Sequence, residues 1–92
     1  MRLVWDEPKR LANIDKHGLD FSQIDAEFDW DTAVVLPTRA SRTGRERTIF
    51  VGQMLGKSVV VIVASPLGGE ALSIISLRLA SDRERTLYAD DE

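Results

Sequence analysis

The period of the apolar positions changes at Ala33, which divides a helical first third of the chain from a strand-rich remainder. Arg2 to Trp5 alternates over a few residues and predicts a short strand. Asp6 is placed to N-cap the helix that follows, with Pro8 in its first turn, where the N–H it lacks would have no intrahelical acceptor. Leu11 and Ile14 are predicted to form the apolar stripe of this helix. Lys16 and His17 fall in its last turn, where positive charge suits the helix dipole, and Gly18 supplies a left-handed stop. A second helix is predicted from near Asp20 or Ser22. Its Phe21, Ile24 and Phe28 lie at i, i+3 and i+7 on one buried face, with Asp25 and Glu27 pointing outward.

Beyond that point the pattern is one of strands. Ala33 to Leu36 is apolar and β-branched, and Pro37 ends it or marks an edge. A polar, arginine-bearing loop from Thr38 to Gly44 leads to a strand over Glu46–Met54, and Gly56-Lys57 forms a hairpin turn. Ser58 to Ala64 is continuously apolar, as a central strand buried on both faces would be. A turn over Ser65–Gly69 and a last strand over Ala71–Leu79 follow, and Ser81-x-x-Glu84 is a capping box opening a terminal helix through Tyr88. The order β-α-α-β-β-β-β-α predicts an α+β fold, an antiparallel sheet with the N-terminal helices on one face and a short C-terminal helix.

Composition narrows the function. Ninety-two residues allow one domain, 1–92, with no room for a separate cofactor-binding unit. The chain has no cysteine and a single histidine, His17, a poor ligand set for a transition metal, so neither a metal nor a cofactor is expected. The longest apolar run, Val59 to Ala64, is too short for a bilayer, and charges follow Met1–Trp5 at once where a signal peptide would continue apolar. The expected location is the cytoplasm, with no membrane contact. The formal net charge of −3 argues against nucleic acid, but its distribution does not. Residues 1–31 carry eight acidic and four basic side chains, whereas residues 32–89 carry eight basic and four acidic ones. Arginine is concentrated at positions 39, 42, 45 and 47 and at 78, 83 and 85, and such a face can bind a phosphate backbone locally.

Two segments are more specific than composition. The first is Trp5-Asp6-Glu7-Pro8-Lys9, running through Asn13 to Lys16-His17-Gly18-Leu19-Asp20-Phe21. The second is Ile74-Ile75-Ser76-Leu77-Arg78-Leu79-Ala80, followed by Ser81-Asp82-Arg83-Glu84-Arg85 and Tyr88. In this order, and in so short a chain, they resemble the BrnT family of bacterial type II toxins over nearly the whole length. The resemblance implies a RelE-like fold and a ribonuclease that blocks translation. It also implies a BrnA-like antitoxin partner with a ribbon-helix-helix domain, through which alone the pair would reach operator DNA. The chain departs from the family's commonest pattern between Ala64 and Leu72, where relatives carry arginines and this sequence has no basic residue. A toxin fold that binds antitoxin or RNA without cutting is the competing reading.

Metal-free RNA cleavage needs a base for the 2′-hydroxyl, a stabiliser for charge on the pentacoordinate phosphate, and an acid for the leaving 5′-oxygen. Arginine suits the second role, since its planar fork grips two phosphate oxygens and stays charged. Arg78 is the leading candidate. Alternation predicts Ile75, Leu77 and Leu79 facing the helices and Ile74, Ser76 and Arg78 on the open face. The alternative is that Arg78 pairs with a carboxylate such as Glu46 across the sheet. His17 and Glu46 are candidates for proton transfer, His17 alternatively capping helix carbonyls and Glu46 alternatively bridging to a neighbouring strand. Lys16, Arg45, Arg47, Arg83 and Arg85 are candidate RNA-binding residues. Tyr88 either stacks on a base or packs in the core.

Overall fold

In the computed structural model, which describes residues 2–37, 46–56 and 58–91, five strands form one sheet ordered β1-β5-β4-β3-β2. They are β1 (Arg2–Val4), β2 (Val34–Pro37), β3 (Thr48–Met54), β4 (Ser58–Leu67) and β5 (Ala71–Leu79). Strands β2 to β5 run as an antiparallel meander, and β1 joins the far edge parallel to β5. Helix α1 (Glu7–His17) leads through a 3-10 turn (Phe21–Gln23) into the short α2 (Ile24–Glu27), and α3 (Asp82–Asp91) closes the chain. The predicted element order holds. Strand β4 runs three residues further than its apolar run, because Ser65, Pro66 and Leu67 continue the ladder opposite Ser73, Leu72 and Ala71. The predicted arginine loop and Lys57, and with them Arg39, Arg42 and Arg45, lie outside the described residues.

The larger core lies on the helix side of the sheet. Phe21, Ile24 and Phe28 pack there against Met54, Val60, Ile62, Ala64, Leu72, Ile74 and Leu77. Phe28 also edges against Trp30, and Trp30 against Phe50, with ring centroids 4.7 and 5.2 Å apart. Gly52 makes room for this aromatic group: a Cβ there would meet Cζ of Phe28 at 2.8 Å. On the opposite side, Val51 and Val61 are buried beneath Tyr88 of α3. Strand β4 is thus covered on both faces, as its unbroken apolar run predicts.

Two expectations need correction. Leu11 is 55% exposed, and the face α1 turns inward comprises Arg10, Asn13, Ile14 and His17, at i, i+3, i+4 and i+7. The helix therefore docks through polar contacts. Asn13 Nδ2 donates to the Leu77 carbonyl (2.8 Å) and the Leu19 carbonyl (2.9 Å), and the Leu77 N–H donates to Asn13 Oδ1 (3.1 Å). Strand β1 pairs only with Ala71–Ser73, so beyond it the Asn13 amide replaces a neighbouring strand for the β5 backbone. Arg10 adds ion pairs to Glu7 and, at 2.9 Å, to Asp20. The second correction concerns β5. Val63 pairs with Ser76 but Ala64 with Ile74, so Ile75 is the extra residue of a β-bulge. The bulge shifts the alternation by one, so Leu72 and Ile74 join Leu77 on the helix side and Ile75 does not, while Leu79 stands opposite the helix-side Val60 beyond the cover of the helices. Leu79 is exposed.

Candidate functional site

Ser76 and Arg78 follow the bulge and stand opposite Val63 and Val61, on the side of the sheet that α3 partly covers. The chain leaves β5 at Leu79, turns, and starts α3 at Asp82, which brings the first turn of the helix back to Arg78. The predicted capping box forms there. The Ser81 N–H donates to Glu84 Oε1 (2.8 Å), and the Glu84 N–H donates to Ser81 Oγ (3.2 Å).

Glu84 has a second task. Arg78 Nη1 donates to Glu84 Oε1 at 2.7 Å and Nη2 to Oε2 at 2.8 Å, a two-pronged ion pair. These bonds from Arg78, more than the capping bonds, hold the Glu84 carboxyl at about 2, well below its usual range, and the same contact raises the Arg78 guanidinium. The expected alternative partner, Glu46, is not the one found. Glu46 precedes β3, where its carbonyl accepts from Ser65 Oγ (2.9 Å). Its backbone lies five residues along β3 from Val51, the residue level with Arg78, or roughly 16 Å down the strands. Glutamate is too short to bridge that span, whereas the turn after β5 delivers Glu84 directly.

The geometry of the Arg78–Glu84 pair leaves part of the guanidinium available. Glu84 takes the end-on edge, one N–H from each terminal nitrogen, and the second Nη1 hydrogen points to the Leu79 carbonyl at 3.3 Å. The side-on edge, Nε–H with the outer Nη2 hydrogen, has no partner among the described residues. Arg78 is 34% exposed while Glu84 is 18% exposed, so solvent reaches the arginine side chain more than the carboxylate that holds it.

The other candidates fall into separate groups. Lys16 and His17 line a shallow groove of about 250 Å³ with Lys9, Ala12, Asn13, Ile75 and Ser76. Ser76 therefore borders both this groove and, two positions along the same strand face, Arg78. Neither Lys16 nor His17 has an ion-pair partner among the described residues. At the start of α3, Arg85 pairs with Asp82 and lines a hollow of about 280 Å³ with Ser58, Val59, Leu79 and Ala80. Arg83 is exposed on the same turn. Arg47 is exposed beside Glu46, at the distant end of β3. Tyr88 is only 4% exposed, its ring against Val51 and Val61 and its hydroxyl 3.1 Å from Thr32 Oγ1. With its ring covered in this way it packs the sheet and presents no open face to a base.

Sequence reasoning missed two residues. Glu84 was legible as a capping glutamate, and its position six residues after Arg78 across a strand-to-helix turn is the signal for the ion pair. Asn13 lay within the diagnostic N-terminal segment, yet nothing in the sequence says that its amide completes a sheet edge.

Comparison with known proteins agrees with this geometry. The family model described as "Ribonuclease toxin, BrnT, of type II toxin-antitoxin system" matches residues 5–84. The chain is also similar to the Brucella abortus ribonuclease toxin BrnT, known from a 1.1 Å crystal structure. That similarity has 40% identity over 89% of this chain and 99% of that one, with a TM-score of 0.72. No curated protein sequence matches.

Proposed function

Since the chain belongs to the BrnT family of ribonuclease toxins of type II toxin–antitoxin systems, we propose that it cleaves RNA without a metal ion, by attack of a ribose 2′-hydroxyl on the adjacent phosphate. The 2′-oxygen bonds to phosphorus as the bond to the 5′-oxygen breaks, leaving a 2′,3′-cyclic phosphate and a 5′-hydroxyl. Arg78 holds the phosphate through its Nε–H and Nη2–H edge and takes up the charge that develops there. His17, in the groove that shares Ser76 with Arg78, moves the proton, and Lys16, Arg83 and Arg85 bind the flanking backbone. The observation that carries this reading is a two-pronged edge, unpartnered among the described residues, on a one-third-exposed arginine of the sheet of a ribonuclease fold. The protein acts in the cytoplasm, and a BrnA-like antitoxin with a ribbon-helix-helix domain neutralises it and links it to operator DNA.

Induced expression is expected to arrest growth, and co-expression of the antitoxin to relieve the arrest. Arg78→Ala should abolish toxicity and, with saturating RNA, lower the cleavage rate on the order of 10²–10³-fold. Arg78→Lys should restore only part of the rate, because a point charge cannot reproduce the fork. The stretch from Ala64 to Leu72, which has no basic residue, favours a second reading, a toxin fold that binds without cutting. Unimpaired growth at verified soluble expression would establish that one instead.

A further inference from the structure

Arg78 is an unusual phosphate ligand in that half of its hydrogen-bonding perimeter is already committed. The committed half is the end-on edge, and the glutamate that takes it is itself held at two further points, one on its carboxylate and one on its backbone. Glu84 Oε1 accepts from both Arg78 Nη1 and the Ser81 N–H, and the Glu84 backbone N–H is held by Ser81 Oγ. One side chain thus ties the rotamer of a strand residue to the N-terminus of the following helix. A long, partly exposed arginine would otherwise sample many rotamers, and ordering it would cost the transition state a share of the binding energy. Both Glu84 oxygens are used on the end-on edge, and the side-on edge has no partner among the described residues.

We propose that Glu84 is a positioning residue for RNA cleavage, one that presents the Nε–H and Nη2–H edge of Arg78 to the scissile phosphate in a fixed orientation. The proposal rests on the reading of Arg78 as the phosphate ligand. The Ser81 hydroxyl caps the Glu84 backbone N–H and so serves the helix start, whereas the carboxylate is held by Arg78 and by the Ser81 backbone N–H, which an alanine would also supply. Since the carboxylate acts through Arg78 and touches no substrate, its contribution exists only while the guanidinium is present. A purely structural role in capping or docking α3 carries no such condition.

The test is a double-mutant cycle on the full chain, with single-turnover cleavage of a mixed-sequence single-stranded RNA oligonucleotide and circular dichroism to confirm folding. Glu84→Gln keeps a capping-box side chain but loses the charge and the second prong. It should lower kcat about tenfold or more while KM stays within about twofold. In an Arg78→Ala background the same change should have no further effect on the rate. Ser81→Ala weakens the same helix start but leaves the carboxylate on Arg78, and should keep kcat within about twofold of wild type. An equal loss from Glu84→Gln in both backgrounds would overturn the proposal in favour of a structural role. A faster Glu84→Gln enzyme would overturn it in favour of masking. Wild-type cleavage by Arg78→Ala, or no cleavage by the wild type, would remove the underlying reading itself, whatever Glu84→Gln does.

Discussion

Glu84 and Asn13 are single side chains on which separate parts of the molecule depend. The Glu84 carboxyl is held at about 2 in the folded chain by Arg78, against 4.5 in an ordinary environment. Between those values the unfolded chain binds more protons, so stability rises with pH across the window. The contribution is complete above about pH 4.5 and is lost as the pH falls through 2. The shift corresponds to about 3 kcal/mol at most, and screening of the one-third-exposed Arg78 lowers the expected value to ~1–2 kcal/mol. Urea unfolding of wild type and Glu84→Gln should show a constant gap of that size from pH 7 to 5 and a shrinking gap below it. Arg78→Ala should lose a comparable amount, because it strands the same carboxylate. Asn13 is uncharged, buried and bonded at three points. Asn13→Ala leaves Leu77 and Leu19 backbone groups without partners and should cost about 3 kcal/mol, a fall of more than about 10 °C in Tm for a chain of this size. Asn13→Asp should do no better, since its carboxylate would face two carbonyls. A Tm within about 3 °C of wild type for either variant would mean that the amide is not what docks α1.

Among the elements, α3 is joined to the sheet through few side chains. Its side chains are largely exposed, Leu87 among them, and it meets the sheet through Tyr88, the Tyr88–Thr32 hydroxyl contact and the Glu84–Arg78 pair. The strands beneath it are held by their own ladders and by the helix-side core. Tyr88→Ala should therefore release α3 alone: amide exchange measured by mass spectrometry should rise across residues 82–89 while β4 and β5 keep their protection. Tyr88→Phe, which retains the ring, should lose only about 1 kcal/mol. If Tyr88→Ala instead raises exchange across β3 and β4, the helix is part of the main cooperative unit. Pairing at the other edge is different in kind, with three residues of β1 extended by a side chain.

At the scale of the whole molecule, a mildly acidic chain carries its candidate RNA ligands in separate groups, Lys16 and His17 in the α1 groove that reaches Ser76, Arg83 and Arg85 at the start of α3, and Arg47 before β3. No helix among the described residues is long and apolar enough to cross a membrane. The proposed chemistry draws its nucleophile from the substrate's own 2′-hydroxyl, so cleavage should persist in excess EDTA and leave 2′,3′-cyclic phosphate ends. End-group analysis by mass spectrometry distinguishes these from hydroxyl ends. Activity that vanishes on chelation and returns with magnesium would refute the metal-free route.

The periodicity and punctuation of the sequence determined which segments are helix and strand, because those signals are local. Gly18 stops α1, Pro37 sits in an edge strand, the unbroken apolar run of β4 is buried on both sides, and Ser81 and Glu84 cap α3. Two spaced segments were also enough to indicate the family. Tertiary structure alone decided the rest, since each remaining feature joins residues through space. The bulge at Ile75 depends on how β5 fits β4, and it changes which residues face the helices. The polar face of α1 is buried because Asn13 meets a β5 edge that β1 is too short to cover. The partner of Arg78 is set by a turn that returns α3 over the strand, so that a helix-capping glutamate, not the expected Glu46, stands within 2.8 Å of both guanidinium nitrogens.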